Sequence, residues 1–254
     1  MTIQSVNRAL DILFLFSDTH PHLGITEISN QLGLTKPTVH ALVRTLTHRG
    51  FLQQDQVSRK YALGLKIFEL GTFLAGTMKI NQMGSAVAQR LAEATRQVIR
   101  IAIWDQNTML VTLNVFPGAR ENPFQQLGPR VPAYCSASGK AVLSALSPKA
   151  LNRYLKQITM AAFTPYTITR QEDLLKEVED ARLKGYASDR EEFMLGIACI
   201  SAPIFDHAGN PTAAISISSI PSLLFSDNTA PFVEALQHSA GEISSRLGYN
   251  QNML

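Results

Sequence analysis

Residues 25–61, ITEISNQLGLTKPTVHALVRTLTHRGFLQQDQVSRKY, constrain the chain most, because their breakers and apolar spacing leave room for little except two short helices, a tight turn and a hairpin. Thr26 reads as an N-cap with Glu27 in the first turn, where a carboxylate offsets the positive helix end. Ile28 and Leu32 share one face, and Gly33 stops the helix. Leu34 fills the turn. Thr35 or Lys36 opens the next helix, with Pro37 in its first turn, where a missing N–H costs nothing. Val39, Leu42, Val43 and Leu46 recur at helical spacing and face inward.

The outer side of this second helix then carries Lys36, Thr38, His40, Ala41, Arg44, Thr45 and His48, a set of donors and small side chains without an acid. Such a surface suits a major groove: Arg44 can reach guanine O6 and N7, Thr38 and His40 can serve bases or phosphates, and Ala41 allows close approach. Gly50 ends the helix. Residues 51–55 and 59–63 read as two strands around Gln56-Val57-Ser58, so the tip of a wing offers Ser58, Arg59 and Lys60 to a phosphate backbone. The whole reads as a winged helix-turn-helix. An amphipathic helix pair that merely fills a core would share part of this pattern; the acid-free outer face, the wing and the placement at a chain end favour DNA binding.

A chain of 254 residues, 45% hydrophobic and 17% charged, can bury a substantial core and is expected to form two domains. The longest strongly apolar run near the N-terminus, residues 12–16, is too short for a membrane span or a signal core, so the cytoplasm is the expected compartment and no membrane contact is expected. Cys135 and Cys199 are expected as free thiols. The net charge of +3 is mild: residues 1–77 hold 7 basic against 5 acidic side chains and the remainder 16 against 15. DNA affinity would thus rest on local clusters doubled by oligomerisation.

Ahead of the head, Ser5 can cap a helix through Val6, Ala9, Leu10, Leu13, Phe14 and Phe16, whose apolar stripe would brace the next two helices, while Arg8 lies off that stripe. His20 and His22 flank Pro21 in a loop with no Cys or acid cluster, so no metal site is expected there. After the wing, residues 63–76 read as a linker helix exposing Leu65, Phe68 and Phe73. Taken together, residues 8–16, the Glu27-Ile28 helix start, Thr38-Val39-His40, Gly50-Phe51 and the Tyr61-Ala62-Leu63-Gly64 ending resemble the IclR family of bacterial transcription regulators, and the likeness covers nearly the whole chain.

From residue 78 onward helix and strand alternate: a helix over 81–96, strands over 98–104 and 109–116 about a turn at Asp105-Gln106-Asn107, a Pro- and Gly-rich loop holding Pro117, Gly118, Pro123 and Gly128, and a helix from Ser136 carrying Val142, Leu143 and Leu146 inward. A helix over 170–185 has a charged outer face (Glu172, Asp173, Lys176, Glu177, Glu179, Asp180) read as solvated surface. Strands over 199–205 and 212–219 form a hairpin about residues 206–210, and a last helix runs from Asp227 to Leu247. The fold class is α+β: an N-terminal winged helix-turn-helix domain (1–63), a linker helix (64–77) and an effector-binding domain (78–254) that the resemblance implies is GAF-like.

Ser136-Ala-Ser-Gly-Lys140 lacks the upstream glycine of a phosphate loop and has Ala137 where a Ser-x-x-Lys catalytic motif needs serine, so both catalytic readings fail. What survives is a helix start whose free N–H groups at Ala137 and Ser138 can cradle an anion; a capped surface helix is the plainer reading. Asp189, Glu191 and Glu192 can grip a ligand or form a wet loop. Ser216 and Ser218 share a strand face near Cys199, and such hydroxyls either find core partners or line a polar pocket. The resemblance implies that Ala137, Ser138, Asp189, Cys199, Ser216 and Ser218 bind the effector, with the Ala137-Ser138 pair adding a hydroxyl where some members have a Gly-Ala type pair.

The function expected is that of a ligand-responsive regulator, a repressor in the leading reading: double-stranded operator DNA engages Lys36, Thr38, His40, Arg44, Thr45, Arg59 and Lys60, and a small carboxylate-bearing metabolite in the second domain shifts the spacing of two heads. Exposed Leu65 and Phe68 and a two-fold operator imply a homodimer, and the resemblance implies dimers pairing into a homotetramer. No cofactor and no catalytic residue is expected. The alternatives are a small-molecule enzyme with an appended DNA-binding domain, disfavoured because the histidines fall mostly in the head and turns, and a helix-turn-helix that binds protein, which calls for a more apolar outer face.

Overall fold

The computed structural model describes residues 2–118, 130–226 and 229–250, and the chain divides into two compact units, Met1–Gly76 and Thr77–Leu254. Most of the Pro- and Gly-rich loop, with Pro123 and Gly128, and Asp227 at the expected start of the last helix, lie outside the described residues.

In the first unit, α1 (Gln4–Phe14), α2 (Ile25–Leu32) and α3 (Lys36–His48) enclose a core of Ile12, Ile28, Val39 and Val43, completed by Leu52, Tyr61 and Leu23. Fully burying each of the large aliphatic side chains contributes roughly 1.5–3 kcal/mol. Thr35 caps α3 by accepting from the Thr38 N–H, Pro37 sits in the first turn, and Gly33, at φ 63°, closes α2. Two expected caps are corrected. Gly24, not Thr26, precedes α2, and the Glu27 carboxylate turns back to accept the Gly24 N–H at 2.5 Å; glycine has no side-chain acceptor, so only this half of a capping box exists. In α1 the cap position is Ile3, so Ser5 lies inside the first turn. The stripe on α1 also divides: Ile12 is buried and Leu13 and Phe16 pack on the core, whereas Ile3, Val6, Leu10 and Phe14 follow one another at helical spacing on the exposed side.

The wing is shorter than its sequence suggests. Strands β1 (Leu52–Gln54) and β2 (Tyr61–Leu63) pair antiparallel, and Leu23 adds a bridge to Tyr61. Residues 55–60 leave the ladder because Asp55 accepts from both the backbone N–H and the hydroxyl of Ser58, folding the tip into a turn with Arg59 at φ 59°. Helix α4 (Leu65–Thr77) follows at once. Gly64, just before it, donates to the Phe51 carbonyl at 2.8 Å, and Lys66 donates to the Gly50 carbonyl at 3.2 Å. A Cβ on Gly64 would stand 2.2 Å from the Gly50 oxygen, so only glycine lets the end of α3 and the start of α4 meet. No residue of α4 is buried, although Leu65, Phe68, Leu70, Phe73 and Leu74 all lie on it.

The second unit is built on one six-stranded antiparallel sheet with the order β5-β4-β3-β8-β7-β6. Helix α5 (Lys79–Thr95) leads into β3 (Val98–Asp105) and β4 (Thr108–Val115). These two strands are joined by a two-residue turn in which Gln106 and Asn107 both take positive φ, the geometry that matches strand twist in a tight hairpin. There follow β5 (Arg130–Pro132), α6 (Ala137–Ala145), α7 (Pro148–Gln157), α8 (Gln171–Lys184), β6 (Ala187–Arg190), β7 (Ala198–Phe205), β8 (Pro211–Ser219), α9 (Pro221–Leu224) and α10 (Thr229–Arg246). Alternate residues sort to opposite faces. Ile99, Ile101, Ile200, Ile204, Ile215 and Ile217 form one face, packed with Val87, Leu91, Leu236 and Ile243 of α5 and α10. On the other face, Ala102, Ala187 and Ala214 pack with Ala141 and Val142 of α6 and Ala181 of α8. Among the described residues no helix is long and apolar enough to cross a membrane.

Candidate functional site

On the first unit, α3 presents Lys36, His40, Ala41, Arg44, Thr45 and His48 on its exposed side, with Thr38 half-buried beside its cap. Two of the hydroxyls are already engaged: Thr38 Oγ1 lies 2.9 Å from Thr35 Oγ1, and Thr45 Oγ1 donates to the Ala41 carbonyl at 3.0 Å. On the wing, Arg59 is exposed. Lys60 is drawn inward, its Nζ 2.9 Å from Glu27 Oε1, so the carboxylate that caps α2 also holds the return strand of the wing. The Gly24 N–H first, and Lys60 second, hold the Glu27 carboxyl below its usual range. Val57 at the tip is 92% exposed, the most exposed large apolar side chain among the described residues; as a lone valine in a polar turn it carries no sequence signal.

On the second unit, the polar face of the sheet and the start of α6 enclose a cavity of about 270 Å³, and Ala137, Ser138, Asp189, Cys199, Ser216 and Ser218 all line it. The strand register explains the convergence. Ser218 of β8 pairs with Cys199 of β7, which pairs with Asp189 of β6, and Ser216 stands one rung along the same face. Cys199 Sγ and Ser218 Oγ are 3.1 Å apart. Ser136 caps α6 by accepting the Gly139 N–H at 3.2 Å, so the N–H groups of Ala137 and Ser138 open a helix start that supplies no internal acceptor. Helix α6 can sit this close because Gly139 has no side chain: a Cβ there would stand 2.2 Å from Ala133 Cα.

The sequence reading missed the apolar wall and two polar cavity residues, Arg100 and Asn114, and placed a third polar residue in a loop. Arg100 of β3 is paired in register with Asn114 of β4 on one side and Ser216 of β8 on the other. Its Nε donates to Asn114 Oδ1 at 3.0 Å and its Nη1 to Ser218 Oγ at 3.1 Å. Both Arg100 and Asn114 line the cavity, and burial pushes the guanidinium pKa down. The signal was available: in the strand VIRIAIWD, period-two alternation puts one charge on a face shared with Ala102, and a buried charge on a strand calls for a purpose. Asp189 belongs to β6 rather than to a wet loop. It is buried and accepts the Glu192 N–H at 2.8 Å; burial first, then the neighbouring Glu192 charge, push its carboxyl up to about 7. Burial likewise pushes the Cys199 and Cys135 thiols up to about 12, so both stay neutral.

The remaining acids brace the site from outside. Glu192 turns away from the cavity to Lys140, 2.6 Å from Oε1 to a fully buried Nζ, and Glu177 of α8 reaches the same ammonium at 3.2 Å. Glu177 is thus an ion-pair partner and not part of a purely solvated face. Glu191, at φ 64°, accepts the Gly196 N–H and closes the turn that carries Phe193 and Met194 into the cavity wall. Thr164 and Thr167 donate to the carbonyls of Glu191 and Glu192 and pin this turn from a second loop. Phe193, Met194, Ile197, Ala102, Val111 and Val131 make the rest of the wall apolar. Among the described residues no group of three or more His, Cys, Asp or Glu is placed to hold a metal ion.

Comparison with known proteins bears on both units. Residues 5–56 match the model for the IclR helix-turn-helix domain, and residues 73–245 match that for the bacterial transcriptional regulator IclR C-terminal region. The HTH-type transcriptional regulator XynR of Escherichia coli (strain K12) is 34% identical over 97% of this chain and 98% of its own. An IclR transcriptional regulator from Alicyclobacillus acidocaldarius is similar in structure, with a TM-score of 0.86 and 25% identity over 98% of this chain and all of that one. An IclR homolog from Microbacterium hydrocarbonoxydans, solved in complex with 4-hydroxybenzoate, superposes with a TM-score of 0.80 at 22% identity over 96% of this chain and 99% of that one.

Proposed function

The chain belongs to the IclR family of bacterial transcriptional regulators, and from that premise we propose that it is a repressor whose hold on operator DNA is set by a small carboxylate-bearing effector in the cavity of the second unit. In this reading residues 1–63 engage DNA, 64–77 link, and 78–254 sense. The observation that carries it is the meeting of Ala137, Ser138, Asp189, Cys199, Ser216 and Ser218 around one cavity of about 270 Å³. Helix-start N–H groups, two serine hydroxyls and a neutral thiol make the lining donor-rich, which favours an anion. The volume lies below the roughly 300–1,000 Å³ of drug-sized pockets, which points to a small metabolite. The 4-hydroxybenzoate held by the Microbacterium homolog is an acid of that class.

For DNA, Lys36, Thr38, His40, Arg44 and Thr45 form the reading surface, Arg44 supplying base readout and Arg59 a phosphate contact. Lys60 contributes charge beside the backbone while it tethers the wing through Glu27. The exposed apolar side chains of α4 need a partner, and a second copy of the chain supplies one, giving the dimer that a two-fold operator requires. Dimers then pair into tetramers.

Operator binding followed by fluorescence anisotropy, with and without a panel of small organic acids and their matched amides, tests the reading. An effective acid lowers operator affinity several-fold, a coupling of about 1–3 kcal/mol, and its amide does not. Acids and amides acting alike, or an acid that tightens operator binding, would overturn respectively the anion cavity and the assignment of repression. A strictly monomeric chain that binds operator tightly would remove the dimer.

A further inference from the structure

We propose that the outer side of α7 is a second DNA contact, at which Lys149, Arg153 and Lys156 grip the phosphate backbone of duplex DNA outside the stretch that α3 reads. The inference goes beyond the effector reading and stands independently of it, taking from the family only that the chain is a DNA-binding regulator.

Helix α7 is docked firmly along one side. Ser147 caps it by accepting the Ala150 N–H at 3.3 Å, and Leu151, Tyr154 and Leu155 are buried, the Tyr154 ring lying 5.6 Å from that of Trp104. At its far end the Gln157 side chain accepts from Asn107, in the turn between β3 and β4, at 2.9 Å. The opposite side carries Lys149, Asn152, Arg153 and Lys156, all exposed, and residues 148–157 contain no acid. Lys149 and Arg153 are four residues apart and Arg153 and Lys156 three, so the three cations share one stripe. At 1.5 Å per residue that stripe is about 10 Å long. A duplex carries one negative charge for about every 1.7 Å of its axis, so a stripe of this length meets several phosphates. Like charges at this spacing also cost an isolated helix stability, a cost that a polyanion lying along the stripe reverses.

The cations of the second unit are otherwise matched. On α8, Lys176 meets Asp173, Arg182 meets Glu179 and Lys184 meets Asp180. Among the described residues of this unit, Lys79, Arg96, Lys149, Arg153 and Lys156 are the lysines and arginines whose side chains make no ion pair, hydrogen bond or ring contact. Three of the five make up the stripe, while Lys79 and Arg96 stand singly at the two ends of α5. The exposed side of α3 has the same character, since Lys36 and Arg44 also meet no acid there. A second copy of the chain is a poor occupant, because the acids on the outer side of α8 already hold the cations beside them. An acidic protein would need apolar anchors at the centre of its interface, and no large apolar side chain of α7 is exposed. Phosphate contacts need only charge and reach. DNA already held by the first unit, moreover, reaches the second at high effective concentration.

The test is the salt dependence of DNA binding by the full chain on two duplexes, one trimmed to the operator and one carrying flanks on both sides. Each phosphate contact contributes about 0.9 to the slope of log affinity against log salt, so the triple variant Lys149→Gln, Arg153→Gln, Lys156→Gln should lower the slope on the flanked duplex by roughly two or more and weaken binding at low salt about tenfold. On the trimmed duplex, variant and wild type should coincide. Asn152→Lys adds a cation to the same stripe and should raise the slope on the flanked duplex by about one, a gain that a damaged fold does not produce and that decides the matter if the triple variant fails to fold. Slopes unchanged on the flanked duplex in both variants overturn the proposal and leave an acidic protein as the partner to seek. Equal losses on the two duplexes overturn it as well, because the stripe would then act within the stretch that α3 reads. Release of the trimmed operator by organic acids should be the same in wild type and variants, so the effector reading and the α7 contact stand or fall separately.

Discussion

The two faces of the six-stranded sheet are made by alternate residues of the same strands, yet they do opposite work. One is an isoleucine surface, Ile99, Ile101, Ile200, Ile204, Ile215 and Ile217, closed by α5 and α10. The other puts Arg100, Asp189, Cys199, Ser216 and Ser218 under α6 and leaves a cavity there. Helix α3 repeats the division in helical form, with Val39 and Val43 buried and Lys36, His40 and Arg44 outside. The lesson is that stability and recognition are separated by a single step along the backbone, so a one-residue shift of register would exchange them wholesale.

The largest expected effect comes from damaging the closed face. Ile217→Ala removes a fully buried side chain among five other isoleucines and should cost about 3–4 kcal/mol in a urea titration while leaving the cavity's ligand preferences alone; a cost under about 1 kcal/mol would mean that this face is loosely packed and the contrast overstated. The open face should respond in the opposite sense. Buried Asp189 titrates near 7 when folded and near the ordinary 3.8 when unfolded, so the folded chain holds an extra proton between those values. Stability is therefore fully present below about pH 4, falls as the pH rises toward about 7 and is level above that. Asp189→Asn keeps an acceptor for the Glu192 N–H and cannot ionise, so it should stabilise by about 2–4 kcal/mol at pH 8 and by little at pH 4, with Glu191, Glu192 and Lys140 unchanged in both proteins. No pH dependence in that difference would place the Asp189 carboxyl in an ordinary aqueous setting.

Smaller effects sharpen the same contrast. Arg44→Ala should lose about 1–3 kcal/mol on the specific operator and little on random DNA, as measured by competition binding; equal losses would make Arg44 a phosphate contact. Replacing both Ser216 and Ser218 by alanine should cost about 1–3 kcal/mol of unfolding free energy, because the buried Arg100 loses the Ser218 acceptor, while weakening the best acid about tenfold or more. Smallest is the neutralisation of Arg59, which should lower the salt slope of DNA binding by roughly one. An unchanged slope removes the wing tip from the interface.

Much of this was legible because the elements concerned carry local signals. The α3 register follows from Thr35, Pro37 and the Val39/Val43 spacing, and the β3–β4 and β7–β8 hairpins follow from polar turns between apolar runs. What escaped had weak or misleading local chemistry. Strand β6 is four residues, Ala-Ser-Asp-Arg, with no apolar alternation, and becomes a strand only by pairing with β7. The partner of Glu177 is Lys140, 37 residues away in sequence, which no helical wheel reveals. Helix α7 is a different case, since Ser147 accepts from Ala150 and Pro148 occupies the first turn, a helix start plainly written in the sequence. For the cavity, the serine pair, Cys199 and the lone charge of Arg100 were all legible from strand periodicity, whereas the register that sets Arg100 between Asn114 and Ser216 was not.

The contact between Gly50 and Gly64 has a mechanical reading. One residue lies just past the end of α3, the other precedes α4, and the two backbones touch without a side chain between them, stitched by the Gly64-to-Phe51 and Lys66-to-Gly50 hydrogen bonds. A flexible hinge at this point would absorb any twist applied to α4. A seam with no compressible side chain behaves instead as a rigid weld, so a rotation of α4 about its own axis is delivered to the carboxyl end of α3 with almost no slack, and a turn of a few degrees there moves the whole exposed side of α3, from His48 back to Lys36, as one piece.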